Sequence, residues 1–444
     1  MANDTIFAPA TVPGKAGIAI IRVSGPRAGS ALSALHGGAL PPARRAARAR
    51  LADPCTGAAL DDGLVLWFPC PASFTGEDVA ELHLHGGRAT VEAVTGALGR
   101  MDGLRLAEPG EFTRRAFDNG RLDLTEVEGL ADLVAAETEA QRRQALRQLD
   151  GALGARFEEW RGRLLRALAL VEAELDFPDE GLPDDLATET NHNIQYLIAA
   201  MSQYLDDDRR GERVRDGIFI AIVGAPNVGK SSLLNALARR DVAIVSEAAG
   251  TTRDVLEVHL DLGGFAVTVA DTAGLRAVAD AVEQEGVRRA LARAEAADLR
   301  LVVVDATAPA VGQEVRRLAD DAALVVINKT DLLAPDSALP AVGSGLTIPI
   351  SVKTGANLDR LIRLLTERVA GLVDGAGPAP LTRERHRLAL RDCVEALCRA
   401  REGRVAELVA EDLRLATRAL GRVTGRVDVE ELLDLIFREF CIGK

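Results

Sequence analysis

No CxxC pair occurs in the sequence, and its five cysteines, Cys55, Cys70, Cys393, Cys398 and Cys441, form an odd set. Such a set supports neither a disulfide framework nor a zinc site, and it fits a reducing compartment. No apolar run is long enough to span a bilayer, and the N-terminus lacks the basic-then-apolar layout of a signal peptide. A soluble, cytoplasmic protein with no membrane partner is expected. Aromatic residues are scarce, at 3%, so the cores must be built from Leu, Val, Ala and Ile. An excess of positive charge is missing too: the net charge is −13. Phosphate-backbone affinity needs clustered Lys and Arg, so any nucleic-acid contact has to be local or delegated to a partner. The terminal run CIGK places Cys441 where a prenylation box has a cysteine, but the final Lys and the lack of an upstream polybasic segment speak against lipidation.

The 444 residues suffice for several domains with cores of their own. Residues 1–118 carry short β-like runs at 17–23, 63–68 and 79–84, separated by Gly and Pro. The segment 41–50, PPARRAARAR, reads as an exposed loop. From 122 to 177 the pattern turns helical, with Leu, Val and Ala at i, i+3, i+4 spacing, until Pro178 and an acidic stretch stop it. Helical text resumes over about 191–213, a βαβ pattern runs from 217 to about 372, and a Gly/Pro/Ala linker at 374–380 leads into helices again. Asp428 and Glu431 resemble a capping box before the last helix. The expected architecture is multidomain: an α+β domain over 1–118, an all-α helical domain over 119–213 and 378–444, and an α/β P-loop domain over 214–377 inserted into it.

The chemistry is legible in the inserted domain. The run 217–223 is a buried parallel-strand candidate; GAPNVGKS at 224–231 follows it, and 232–238 reads as helix. That is the context a phosphate-binding loop needs. Backbone N–H groups at Asn227, Val228, Gly229, Ser231 and Ser232 and the helix dipole cradle phosphates, Lys230 adds a point charge, and the Ser231 hydroxyl suits Mg²⁺. A second strand, 265–270, ends in DTAG, where Asp271 can reach Mg²⁺ through water and Gly274 lets its N–H approach a γ-phosphate. Strands at 301–304 and 323–327 continue the sheet. The latter runs into Asn328-Lys329-Thr330-Asp331, whose aspartate can accept from both guanine N1–H and the 2-amino group. Two charge-assisted bonds of about 1.5–3 kcal/mol each select guanine over adenine. Ser351, Val352 and Lys353 occupy the last base-contacting loop. Thr252, in GTTRD at 250–254, is placed to close over Mg²⁺ and γ-phosphate. Two absences stand out: the residue after DTAG is Leu275 rather than a water-orienting glutamine, and no residue declares itself as an arginine finger.

Along essentially its full length the chain resembles the MnmE (TrmE) family of tRNA-modification GTPases. The resemblance rests on GAPNVGKSS, AGTTRD at 249–254 and DTAGLR at 271–276, and on SFTGED at 73–78, GEF at 110–112, DFP at 176–178 and the CIGK terminus. It implies a homodimer whose GTPase domains meet across GTP in a K⁺-dependent manner. The K⁺ ligands would be the Asn227 side chain and backbone oxygens of Ser246 and Ala248, with a contribution from Thr251. The glutamine's task would pass to Glu283, acting through a second water, and the catalytic set would be Glu283, Lys230 and Cys441. Read alone, Glu283 is a solvated helix-face carboxylate, and Cys441 is either a working thiolate or a small buried terminal residue.

The resemblance also makes the N-terminal domain a folate-binding one, taking 5,10-methylenetetrahydrofolate or 5-formyltetrahydrofolate through Arg22, Glu81, Arg121 and Lys444. The residues are compatible with this. Alternation on the strand 78–85 sends Ala80, Leu82 and Leu84 to one face and Glu81, His83 and His85 to the other. The polar face is either solvated or a site, and a zinc reading of it lacks a fourth ligand. A pterin edge resembles that of guanine, which makes Glu81 a sensible acceptor. The implied function is a GTP-hydrolysing part in modifying C5 of the wobble uridine of certain tRNAs, with FAD carried by the partner MnmG (GidA) and tRNA held largely through that partner. Two rivals remain: a GTPase switch in ribosome assembly, and a folate enzyme with a regulatory GTPase attached.

Overall fold

The computed structural model describes all residues except 1–3, 177–184, 245–256, 272–294, 309–310, 321–322, 335–336, 376, 378, 428–429, 439, 441 and 444. They divide into two compact units, one of residues 1–131, 148–197 and 392–444, the other of residues 132–147 and 198–391. This division runs through the helical stretches of the chain.

The first unit contains a sheet of strands β1 (Thr5–Pro9), β2 (Ala16–Ser24), β3 (Ala47–Ala52), β4 (Ala59–Phe68), β5 (Val79–Gly86) and β6 (Leu104–Leu106), in the order β3-β4-β5-β2-β1-β6. Its pairs are antiparallel except β1 with β6. The alternation expected on β5 is present: Ala80, Leu82 and Leu84 are buried, Glu81 and His83 half-buried and His85 exposed. The buried set packs with Ile21, Val23, Val65 and Trp67 against Leu32 and Leu35 of the helix Ala28–His36 and Val94 and Leu98 of the helix Arg88–Gly99. One expectation is corrected here. The second half of the basic segment 41–50 belongs to strand β3, not to a loop. Its Ala/Arg alternation puts Ala47, Ala49 and Leu51 inward and Arg48 and Arg50 outward, and Arg48 pairs with Asp62 on β4. The pairing partner is the next strand, six residues on, and this cross-strand contact is what makes the segment extended.

The continuous helical pattern from 122 to 177 is three helices, Leu124–Ala135, Glu139–Leu149 and Ala152–Asp176. Local caps cut it. Asp123 accepts from the Glu126 N–H while Glu126 accepts from the Asp123 N–H, a reciprocal box at the first start. Gln141 Oε1 accepts from the backbone of Glu137 and Thr138 at the second, and Gly151, at φ +81°, lies just before the third. Toward the C-terminus run Glu384–Glu402, Ala406–Thr424 and Glu430–Arg438.

The second unit holds β7 (Ile218–Val223), β8 (Glu257–Leu262), β9 (Phe265–Asp271), β10 (Leu299–Asp305), β11 (Ala323–Asn328) and β12 (Leu346–Pro349), in the order β12-β11-β10-β7-β9-β8. All neighbours are parallel except β8 and β9. Strand β8 goes beyond the sequence reading. Its EVHLDL alternation buries Val258, Leu260 and Leu262. The two-residue turn Gly263-Gly264, with φ of +69° and +89°, suits a tight hairpin that only residues free of a Cβ adopt easily.

In this unit Arg387 is almost fully buried. It donates to Glu212 (2.9 Å), to Asp207 (2.6 Å) and to the Leu205 carbonyl (2.8 Å). Removing one member strands a buried charge, which costs about 3–5 kcal/mol. Arg387→Met should therefore lower the urea midpoint sharply, and adding Glu212→Gln should recover part of the loss. Urea unfolding followed by far-UV circular dichroism checks both.

Candidate functional site

Parallel strands end together, and this alignment gathers the chemistry. The chain leaves β7 at Val223, turns through 224–229 and enters the helix Lys230–Ala238. Two close approaches demand glycine: a Cβ on Gly224 would meet the Val303 carbonyl oxygen at 2.3 Å, and one on Gly229 would meet Asn328 Nδ2 at 2.3 Å. The helix thus starts with its N–H groups turned into the loop, the arrangement that binds anions. Lys230 spans the loop, donating to the carbonyls of Gly224 and Ala225 at 2.8 Å each. Burial pushes its ammonium below the ordinary value, and the Asp271 charge opposes that shift. Ser231 Oγ donates to Asp271 Oδ2 at 2.7 Å, so the two hard oxygens expected around Mg²⁺ stand side by side.

The segments expected to read guanine follow β11 and β12. Asn328 Nδ2 donates to the Val228 carbonyl (2.9 Å), and Asn328 Oδ1 accepts from the Val352 N–H (3.1 Å). One side chain therefore ties the phosphate loop to the loop after β12. Lys329, at φ +65°, donates to the Asn227 carbonyl (2.8 Å) and to Asp305 Oδ2 (2.7 Å). Ser351 Oγ donates to Asp331 Oδ1 at 2.6 Å, which orients the carboxylate, and the Thr330 hydroxyl donates to the Ile350 carbonyl. Ser232 and Lys353 are exposed beside these contacts.

Among the described residues, Lys230, the pair Ser231–Asp271, the set Val228–Asn328–Val352, the set Asn227–Lys329 and the pair Ser351–Asp331 each make such contacts, and Gly229 abuts Asn328. Ser246, Ala248, Thr251, Thr252, Gly274, Glu283, Cys441 and Lys444 lie outside the described residues. Sequence reasoning missed Asp305. Burial pushes its carboxyl up, but the bonds from Lys329 and Thr307 outweigh burial and hold it below the ordinary range. The signal available was an aspartate closing the apolar run LRLVVVD, at the same strand end as the recognised motifs.

In the first unit, Arg22 and Glu81 are directly paired across β2 and β5, with Arg22 Nη2 3.0 Å from Glu81 Oε1. The guanidinium lies 5.3 Å from the Phe74 ring centre and 5.8 Å from that of Phe112. Glu81 Oε2 stands 3.3 Å from His83 Nε2. His85 instead turns to Asp61 at 2.8 Å, so the three polar residues of β5 do not converge. Arg121 packs its stem over Gly76, in the same 73–78 segment as Phe74. That segment is pinned by Ser24, whose hydroxyl contacts Thr75 (2.7 Å) and Glu77 (2.8 Å), and by Arg115 on Glu77.

Two family models match the chain: "GTP-binding protein TrmE N-terminus" over residues 5–121 and "MnmE helical domain" over residues 124–441. Relatives named tRNA modification GTPase MnmE align over nearly its whole length. That of Parvibaculum lavamentivorans is 59% identical, covering 99% of this chain and 100% of the relative. That of Rhodospirillum rubrum is 57% identical with complete coverage of both, and that of Paramagnetospirillum magneticum is 58% identical with complete coverage of both.

The Asn328 brace can be tested without any ligand. Asn328→Ala removes the acceptor for the Val352 N–H, so exchange of that amide should accelerate about tenfold, the equivalent of one ordinary hydrogen bond. Hydrogen exchange resolved to Val352 by NMR checks it; an unchanged rate would show that the brace is not formed in solution.

Proposed function

The chain belongs to the MnmE (TrmE) family, and we propose that it hydrolyses GTP as part of the machinery that modifies C5 of the wobble uridine of certain tRNAs, using a one-carbon folate. The observation that carries the nucleotide half is the convergence of the 224–231 loop, Asp271, Asn328–Asp331 and Ser351 at one edge of a parallel sheet. In this reading a GTPase domain of 214–377 is inserted into a helical domain of 119–213 and 378–444, behind a folate-binding domain of 1–118.

Backbone N–H groups at 227–232 hold the phosphates, Lys230 neutralises them, and Asp331, oriented by Ser351, reads guanine. Ser231 and Thr252 would ligate Mg²⁺, with Asp271 behind a water; the ion supplies positive charge across the phosphates. The oxygen pair Ser231–Asp271 fits such an ion. For K⁺, the Asn227 backbone carbonyl is already taken by Lys329 and its side chain is exposed, which leaves the side-chain amide oxygen to serve beside Ser246, Ala248 and Thr251. Glu283 then positions the attacking water through a second one. In the N-terminal domain Arg22, Glu81 and Arg121, joined by Lys444, take the folate. The long Glu81–His83 contact is one that a pterin donor can replace, and the half-buried ring of Phe74 offers apolar surface beside it. Cys441 completes the candidate chemistry of that site. The acting species is a cytoplasmic homodimer working with MnmG (GidA), which carries FAD and most of the tRNA contact; the net negative charge of the chain favours that delegation.

Two experiments bear on this. Mass spectrometry of bulk tRNA nucleosides from a deletion strain should show loss of the C5-modified wobble uridines. An intact nucleoside profile with accumulated ribosomal precursors would instead favour the ribosome-assembly switch. GTP turnover should be much faster in K⁺ than in Na⁺ at equal ionic strength, since a cation placed like an arginine finger replaces a group that accelerates hydrolysis roughly 10³–10⁵-fold. Asn227→Ala should abolish most of the difference; equal rates in the two salts for the wild-type protein would rule the cation out.

A further inference from the structure

Asp305 belongs to none of the nucleotide motifs, yet it closes the chain of contacts that holds Lys329. It ends β10 directly opposite Asn328 in the β10–β11 register. Its Oδ2 accepts from Lys329 Nζ at 2.7 Å, and the same ammonium donates to the Asn227 carbonyl at 2.8 Å. Its Oδ1 accepts from the Thr307 N–H at 2.9 Å and from Thr307 Oγ1 at 2.7 Å. The carboxylate is therefore clamped by its own turn and does not follow the lysine. A lysine on a four-carbon stem has many rotamers. Here two acceptors from separate loops, one fixed by Thr307 and one in the phosphate loop, select among them.

We infer that Asp305 is a positioning residue of the nucleotide site: with Thr307 it fixes the Lys329 ammonium on the Asn227 carbonyl and sets the shape of the phosphate loop before nucleotide arrives. The inference rests on the guanine-nucleotide reading given above. Its physical basis is preorganisation, in which ordering done in the free protein is not charged against binding. Without the carboxylate, water competes for the ammonium, the Asn227 carbonyl loses its donor, and the ligand must order the loop itself. The competing account is an ordinary ion pair: the Lys329 and Asp305 side chains are 33% and 17% exposed, and pairs open to solvent contribute little.

A double-mutant cycle separates the two. Affinity for a fluorescent GDP, chosen so that no turnover intervenes, is measured on the full-length protein for wild type, Asp305→Asn, Thr307→Val, Lys329→Met and the pair Asp305→Asn/Lys329→Met. Asp305→Asn should weaken binding about tenfold and Thr307→Val about threefold, as expected for a charged and a neutral hydrogen bond. Because Asp305 acts through Lys329, the double variant should bind within about twofold of Lys329→Met. Wild-type affinity in Asp305→Asn, or losses that multiply in the double variant together with lower melting of the nucleotide-free protein, would overturn the positioning role. Those results leave the nucleotide reading standing. A wild-type protein that binds no guanine nucleotide would overturn that reading first, and the positioning role with it.

Discussion

The register of β10 against β11 pairs Asp305 with Asn328, and that of β10 against β7 pairs Val302 with Val223. Parallel strands held in this alignment deliver their following loops to one edge, and everything at the nucleotide site depends on it. Once Asn328 is at that edge, its amide reaches Val228 in one direction and Val352 in the other. Three loops, two of them about a hundred residues apart in sequence, then share one buried side chain. A register shift of one residue would turn Asn328 to the other face of the sheet and undo both contacts.

The charge pattern has a related logic. The chain is acidic overall, yet its arginines are numerous, and many of the described ones pair with carboxylates. Arg387 is buried among Asp207 and Glu212, and Arg115 is buried between Asp4, Glu77 and Glu111. Arg399 and Arg414 sit on helices of the first unit and Arg426 just after one, paired with Asp412, Glu172 and Glu158. The buried pairs are the ones whose disruption costs most, because the surviving partner has no water to turn to. The exposed ones keep the helix surfaces soluble and contribute little else.

In the N-terminal sheet the two faces of β5 have different duties. One supplies apolar side chains to the core, and the other offers Glu81 and His83 beside Arg22. The SFTGED segment gains its meaning from Ser24 and Arg115, which hold Thr75 and Glu77 and so place Phe74 under the Arg22 guanidinium. A motif visible as a string is, in space, the clamp of a cation.

The sequence by itself determined the parts whose signals are local. A glycine-rich turn between an apolar strand and a helix, an aspartate after a second strand and Asn-Lys-Thr-Asp after another each carry their meaning in a few neighbouring residues. Period-two alternation likewise announced the two faces of β5, because side-chain direction in a strand follows from chain geometry alone. What needed the tertiary structure were contacts between distant segments. The basic run at 47–52 became a strand only by pairing with β4, and β8 only by pairing with β9. Asp305 acquired a role only when sheet register set it opposite Asn328, within reach of the Lys329 ammonium. Glu81 had looked like an open acceptor until β2 brought Arg22 against it. Each of these depends on pairing with another segment, and no periodicity within one segment encodes which partner will arrive.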